Sequence, residues 1–431
     1  MVGQAVGQVH VIGAGMAGLS AAVRLSKAGV KVSLYDTAKH AGGRCRSFYD
    51  ETLNATIDNG THLLLSGNHE VLDYVDLCGS GSMLNKMPCA RFDFHDVSTG
   101  SGWHVDLGAM GGRVSLIRWL LDRRHQPPGL KPLSFLKDVW ALQRGQGRSV
   151  AACLDPSSQT YRNFWRPMCL AVLNVEPNVG AARMMWAVLR ETVLKGGAFA
   201  KPVFAPKGLG GALVDPALEV LRGCGADLHF QHRITALDCG DEAERVKALR
   251  IGNAFEVLGD GDAVILAVPH HAVKDLITGI TTPEDTQAVL NVHYRVGTTM
   301  SSPRMLGLVN GEAEWVFQRG NIVSVTISAA NAWMSKDADA IAHGLWPEVS
   351  KAMGEGEAGN VPPYRVIKER RATFVATPDA LAKRPQTNTH LSNLYMAGDW
   401  TDTGLPASLE GAVKSGRLAA EAVLRRCAAR P

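Results

Sequence analysis

Apolar positions fall into two kinds of run along this chain. Short, mainly apolar runs at Val9–Ile12, Val30–Tyr35, Asp262–Pro269 (DAVILAVP) and Leu394–Ala397 have the length and make-up of buried strands. Longer stretches repeat apolar residues every three or four positions. From Met16 to Ala28 that spacing predicts a helix, and Gly29 stands where a C-cap would. Leu213–Arg222 and Leu409–Leu424 predict two more helices. Residues 161–200 look helical, with Trp165, Met168, Leu170 and then Met184, Met185, Trp186 as core or as the lining of an apolar tunnel. Asp227–Phe230 and Arg233–Leu237 predict a strand pair, and Val246–Ile251 with Phe255–Val257 a hairpin. Residues 288–330 alternate as strands, and 354–363 predict a loop.

One amphipathic region stands apart. RVSLIRWLLDRRH and LSFLKDVWALQR, within 113–144, carry Leu116, Ile117, Leu120, Leu121 and then Leu136, Val139, Trp140 on apolar faces. Arg113, Arg118, Arg123, Arg124, Lys131, Lys137 and Arg144 flank them. Two helices packed on a core would look like this, and so would a basic pair that dips into a bilayer surface.

The first strand and helix enclose Gly13, Gly15 and Gly18 as G-x-G-x-x-G, and the second strand closes on Asp36. Strand, glycines, helix, strand and acid in this register predict a βαβ dinucleotide-binding unit. Gly13 permits the tight turn and Gly15 lets the backbone approach a pyrophosphate at the helix N-terminus. Gly18 allows close helix–strand packing, and Asp36 can hold a ribose hydroxyl. Gly42-Gly43-Arg44 follows, suited to a loop that presses on a cofactor while a guanidinium meets phosphate. Gly60, Thr61 and His62 lie in DNGTHLLL, where Gly60 lets the backbone approach a planar group. A lone histidine beside an apolar strand is as a rule structural. Near the C-terminus Gly398-Asp399 ends a strand, Ser408 occupies an N-cap position, and Glu410 lies in the first turn of the last helix.

Composition narrows the class. With 431 residues the chain can build two or three domains. A net charge of +4 is too small to argue for nucleic acid. The cysteines show no C-x-x-C spacing, so neither a zinc site nor a redox dithiol is expected. No apolar run is long enough for a bilayer span, and no basic-then-apolar leader precedes Val9, so a cytoplasmic protein is expected.

GAGMAGL, Gly42-Gly43-Arg44 and AGDW…EGAVKSGRLAA together resemble the flavin-dependent amine oxidase and phytoene desaturase superfamily over nearly the whole chain. DNGTHLLL (58–65), WRPMCLAVLNVEP (165–177), KERRATFVATP (368–378) and LYMAGDWTDTGLPASLEGAVKSG (394–416) are most similar to the bacterial squalene-associated members, the hydroxysqualene dehydroxylases of hopanoid and squalene synthesis. The resemblance implies an α/β, amine-oxidase-like fold. A discontinuous Rossmann-like FAD-binding domain would comprise 1–95, 205–270 and 388–431. An α+β substrate domain would comprise 96–204 and 271–387.

The resemblance also implies site residues. Gly13, Gly15, Ala17 and Gly18 would meet the pyrophosphate, Asp36 the adenosine ribose, and Gly43 and Arg44 phosphate. Gly60, Thr61 and His62 would lie against the isoalloxazine, and Ile234 behind the adenine. Gly398 and Asp399 would bind the ribityl or phosphate end, and Ala407 and Ser408 the pyrimidine edge. The implied reaction removes hydroxyl from hydroxysqualene reductively, with His62, Asp402 and Glu410 as acid candidates. Two departures narrow this. Ser408 stands where amine oxidases carry an aromatic residue, and the covalent-flavin cysteine is missing, so noncovalent FAD is expected. Expected partners are a C30 isoprenoid, an electron donor for the flavin, upstream squalene-pathway enzymes and, through 113–144, the inner face of the cell membrane. Two other readings share the fold: an oxidative polyisoprenoid desaturase, and a prenyl-lipid-binding protein without catalysis.

Overall fold

The computed structural model describes residues 7–240, 244–355 and 359–428. β1 (Val9–Ile12), α1 (Met16–Lys27) and β2 (Val32–Asp36) form the expected unit, with β1 and β2 parallel. A hairpin of β3 (Ser47–Asp50) and β4 (Ala55–Asp58) and the short β5 (Leu64–Leu65) lead to α2 (His69–Leu77) and β6 (Asn85–Lys86). β7 (Arg91–Asp96) and β8 (Gly102–Asp106) are antiparallel neighbours. A helical run follows: α3 (Arg113–Leu121), α4 (Pro132–Gln143), α5 (Val150–Cys153), α6 (Arg166–Leu173) and α7 (Ala182–Glu191). β9 (Pro202–Phe204) then pairs with β5 and β6.

The chain next returns to the first sheet through α8 (Asp215–Gly223) and β10 (Asp227–Phe230). β11 (Ile234–Asp238), β12 (Ala248–Ile251) and β13 (Ala254–Val257) form a small antiparallel sheet, and β14 (Ala263–Leu266) and α9 (His270–Leu276) follow. β15 (Thr286–Val309), β16 (Trp315–Ile327), α10 (Ala338–Met353) and β17 (Tyr364–Phe374) build the second large sheet and its cover. α11 (Pro378–Ala382), β18 (Leu394–Met396) and α12 (Leu409–Ala428) end the chain.

Two sheets organise these elements. The first has the order β10-β2-β1-β14-β18, all parallel, so three distant pieces of chain share one sheet. A parallel sheet of such apolar strands must be covered on both faces. Val9, Val11, Leu34 and Ile265 pack with α1, α8 and α12, whereas Ile12, Tyr35, Val264 and Leu266 join the core shared with β11 and β12. α12 lies against α1 at close range, because a Cβ on Gly416 would sit 2.1 Å from the Ala17 carbonyl oxygen. The second sheet has the order β16-β15-β7-β8, with β17 along β15.

Several expectations need correction. β10 and β11 are not partners: β10 extends the parallel sheet on β2, and β11 pairs with β12. β7 starts at Arg91 and belongs to the second sheet, inside the stretch 1–95 expected to bind FAD. The helical region 161–200 breaks at Asn174, which is left-handed (φ 56°) after α6. Of the loop expected over 354–363, residues 356–358 lie outside the described residues.

Candidate functional site

One cavity of about 1250 Å³ runs between the two sheets. That exceeds the roughly 300–1,000 Å³ that holds a drug-sized ligand. One end is the glycine turn after β1. Gly13 has φ +107°, and a Cβ there would lie 2.5 Å from the Ala267 carbonyl oxygen, so only glycine fits. Gly15 is the N-cap of α1 and offers no side-chain cap, which leaves the first-turn amides available to an anion. A Cβ on Gly15 would project into open space. The 42–44 loop closes on this turn: Gly42 N–H donates to the Ala14 carbonyl at 2.8 Å. An uncapped helix start, an open glycine and a second glycine loop fit the pyrophosphate of a dinucleotide.

Gly18 is a correction. It does not line the cavity, and a Cβ there would lie 1.8 Å from the Gly13 carbonyl oxygen. Its task is helix–strand packing and not contact with pyrophosphate. Asp36 lines the cavity, with Oδ2 accepting from Ala14 N–H and Oδ1 from Ala38 N–H, both at 2.7 Å. Ionised carboxylate oxygens keep lone pairs for a ribose hydroxyl beyond those bonds. Ile234, at the start of β11, also lines this end.

The middle of the cavity gathers both chain ends. Arg44 donates to Asp399 at 2.9 Å and to the Ala372 carbonyl. Asp399 and the half-buried Arg44 therefore meet at the wall as an ion pair. Gly398 is at φ +149° and its N–H donates to Ser415 Oγ at 2.8 Å. Ser408 Oγ accepts from Gly411 N–H at 3.1 Å, the N-cap bond its position predicts. Ala17, Gly43, Gly60, Thr61, His62, Ala407 and Ser408 all line the same space.

The three acid candidates part company here. His62 turns its surface to the cavity with protein packed behind it. That burial, together with nearby Arg44, lowers its pKa, so the ring is neutral at pH 7. Glu410 accepts the N–H groups of Glu70 and Val71, each at 3.0 Å. It caps α2 from another helix. Burial pushes its carboxyl up to about 7 while those two bonds pull the other way. Asp402 does not line the cavity; it accepts from Gln386 at 3.3 Å and from Gly404 N–H at 3.3 Å. Asp402 is bonded to no side chain that lines the cavity, so it has neither contact with a group reacting there nor a relay to one, and it leaves the set.

Two features were not evident in the sequence. The first is a band of neutral polar side chains across the cavity wall: Asn174, Asn291, Thr326, Ser328 and Thr373. Asn291 Oδ1 accepts from Thr326 Oγ1 at 2.8 Å, and Asn174 Nδ2 donates to Thr373 Oγ1 at 2.9 Å. Alternation puts Val289, Asn291 and His293 on one face of β15, and a polar residue on an inward face is the only sequence signal for it. Beyond the band, Phe92, Phe94, Trp119, Phe164 and Trp315 line an apolar arm. The second is Arg384. Buried, it donates to the carbonyls of Asp399, Trp400, Thr401 and Leu405, and so ties down the loop that carries Asp399.

No helix among the described residues is long and apolar enough to cross a membrane. The outer faces of α3 and α4 are nonetheless apolar. Val114, Ile117, Leu121, Leu133, Leu136 and Trp140 are exposed, and with Met110 they make seven of the eleven large exposed hydrophobics among the described residues. Trp119 and Phe135, on the inner faces, meet edge to face at 5.3 Å.

Residues 16–424 match the family described as flavin containing amine oxidoreductase. A relative from Sinorhizobium fredii named hydroxysqualene dehydroxylase is 41% identical, over 96% of this chain and 98% of its own length. One of the same name from Rhodopseudomonas palustris is 40% identical over the same shares. A 15-cis-phytoene desaturase from Synechococcus elongatus is 23% identical, over 97% of this chain and 96% of its own. Among solved structures, cyclohexylamine oxidase from Brevibacterium oxydans superposes with a TM-score of 0.69 at 13% identity, covering 98% of this chain and 99% of its own, a likeness of fold.

Proposed function

The chain belongs to the flavin containing amine oxidoreductase family, and from that premise we propose that it removes the hydroxyl of hydroxysqualene reductively to give squalene. FAD is its cofactor, held without a covalent bond. When bound in reduced form, FAD supplies a hydride. The observation that carries the reading is the sequence of environments along one cavity: glycine cradle, polar band, aromatic arm. The cradle suits the dinucleotide, and the arm suits an apolar chain. The band suits one hydroxyl at a fixed place between them.

The chemistry needs three things from the protein. The allylic hydroxyl must be held and protonated so that it leaves as water. The allylic cation must be kept from solvent, which the aromatic arm does. One carbon must be fixed where the hydride arrives, and neutral hydrogen-bonding groups on rigid strands provide that. Ser408 supports this over amine oxidation. Its hydroxyl is engaged in capping α12, and no aromatic ring stands there to box an amine.

The substrate is membrane-soluble, and we infer that α3 and α4 rest on a bilayer surface. Their exposed apolar side chains and basic flanks support this, as does Trp119, which ties α3 to the cavity wall.

Anaerobic mixing of photoreduced enzyme with hydroxysqualene tests the reaction. Flavin reoxidation and squalene formation are expected to keep pace. Reoxidation without squalene, or no reoxidation, would defeat the reading. Conversion of squalene by the oxidised enzyme in air would favour oxidative chemistry instead. A colourless, flavin-free protein would leave only lipid binding.

A further inference from the structure

Within that reading, the geometry points to Ser328 as the group that hands a proton to the leaving hydroxyl, with Glu314 behind it as the source. Ser328 follows β16, lines the cavity, and is two positions beyond Thr326 of the polar band. Residues two apart on a strand share a face about 6.6 Å apart. Ser328 therefore lies on the band's face, displaced from Asn291 and the Gly60 turn. Its N–H donates to Glu314 Oε2 at 2.8 Å, and its hydroxyl lies close enough to the same carboxyl to help hold its pKa down. Glu314 immediately precedes Trp315, which lines the aromatic arm.

Four acids on the cavity wall are committed. Glu70 is held in a fork by Arg417 (2.7 and 2.7 Å), Glu191 by Arg190 and Lys195, and Asp399 by Arg44. Glu410 caps α2, as above. Asp36 accepts two backbone N–H groups, Glu369 accepts from Asn59 at 3.3 Å, and Asp275 also lines the wall, whereas Glu314 reaches the cavity only through Ser328. An ion-paired carboxylate holds its charge and makes a poor proton donor. Glu314 makes no ion pair within 4 Å among the described residues. The charged groups that face it are Arg166 and Glu176, which pair with each other. Burial pushes the Glu314 carboxyl up to about 7, against the Ser328 bonds and Arg166. Part of its surface stays open although it sits deep among protein atoms, and that opening lets it regain a proton from solvent.

The step balances. The Glu314 proton moves to Ser328 Oγ as the Ser328 proton moves to the substrate hydroxyl. The C–O bond breaks, and its electron pair leaves with water. Reduced FAD, when bound, would supply the hydride that closes the new C–H bond on the allylic cation, the flavin being the two-electron reductant. The Glu314 carboxylate is reprotonated from water.

Because the acid must be protonated, single-turnover squalene formation should fall as pH rises through about 7. Glu314→Gln keeps an acceptor for the Ser328 N–H and is expected to slow the step by ~10²-fold or more and remove that pH limb. Ser328→Ala should do the same. Flavin absorbance and melting temperature serve as controls for folding. Independently of turnover, infrared difference spectra of the oxidised protein should show a carboxyl band titrating near 7 that Glu314→Gln abolishes. Normal turnover of Glu314→Gln with an unchanged pH limb, or a band that persists in the variant, would overturn the assignment alone. A wild-type enzyme that makes no squalene would overturn the reaction itself, and this assignment with it.

Discussion

Arg384 is a buried cation whose donors meet four carbonyl oxygens and the Met184 sulfur. Burial lowers its pKa to about 10, yet it stays charged at neutral pH. Its planar fork spans the 399–405 loop in a way a single ammonium does not. Arg384→Ala removes the donor to the Asp399, Trp400 and Leu405 carbonyls, while Thr401 keeps the Thr403 N–H at 2.8 Å. It should cost ~3 kcal/mol of stability and release the loop that carries Asp399. Arg384→Lys should recover only a fraction. Melting curves with and without added FAD check this: loss of flavin affinity in both variants is expected, and full affinity in Arg384→Lys would mean the fork does not matter. At this scale the residues whose backbones shape the glycine cradle were legible from sequence. Gly13, Gly15 and Gly43 declare themselves because G-x-G-x-x-G and Gly-Gly-Arg after strands mark backbone shaped to approach a phosphate. Arg384 and Ser328 did not, since an arginine or serine carries no local mark of the carbonyl or carboxyl it meets from far along the chain.

Helix α12 decides whether the two chain ends act as one unit. Ser20 Oγ donates to the Val413 carbonyl at 2.8 Å, and Gly416 lies over the Ala17 carbonyl. Toward α2, Glu410 and Arg417 grip the helix start. Gly416→Ala therefore has no room: a Cβ would meet backbone at 2.1 Å and Ser20 Cβ at 2.8 Å. An interior helix glycine normally gains ~1 kcal/mol on becoming alanine. Here overpacking reverses the sign, to a loss of ~1–3 kcal/mol. Gly344→Ala in α10, exposed and with open space around it, is the control and should stabilise. Equal melting temperatures for the two variants would refute the close packing of α12 on α1. The helical period and the Ser408 cap gave away α12 itself, but period alone does not say which helix receives it. The sheets show the same boundary. β1, β2, β14 and β18 read as strands from their apolar runs, while their order depends on contacts between residues hundreds of positions apart. β15 was only partly legible because its 24 residues change register with β16 twice, which breaks the alternation. α10 hid behind Pro347 in its interior.

On the scale of the molecule, charge is unevenly spread. Residues 113–144 hold seven basic side chains against Asp122 and Asp138, while the whole chain carries +4. The remainder is thus close to neutral, and the positive field belongs to the α3–α4 region. Two terms compete in holding such a surface to a bilayer. A basic side chain near anionic lipid contributes ~1 kcal/mol and is screened by salt within ~10 Å. A Leu-sized side chain moved from water into the acyl boundary contributes ~1.5–3 kcal/mol and is indifferent to salt. Leu121 and Leu133 are 75% and 84% exposed, so nearly all of their surface is available for that transfer. The apolar term should therefore win. Leu121→Asp with Leu133→Asp is expected to abolish co-sedimentation with vesicles containing anionic lipid. Reversing Arg118, Arg123 and Arg124 should weaken it at low salt and matter little at high salt. Both sets of changes lie on the outer face and should leave the flavin spectrum unchanged. They should lower turnover only when hydroxysqualene is delivered in vesicles, because Trp119 on the inner face still closes the cavity wall. Undiminished vesicle binding by the double aspartate variant would return α3 and α4 to the role of ordinary covering helices, and the substrate would then have to reach the aromatic arm by another route.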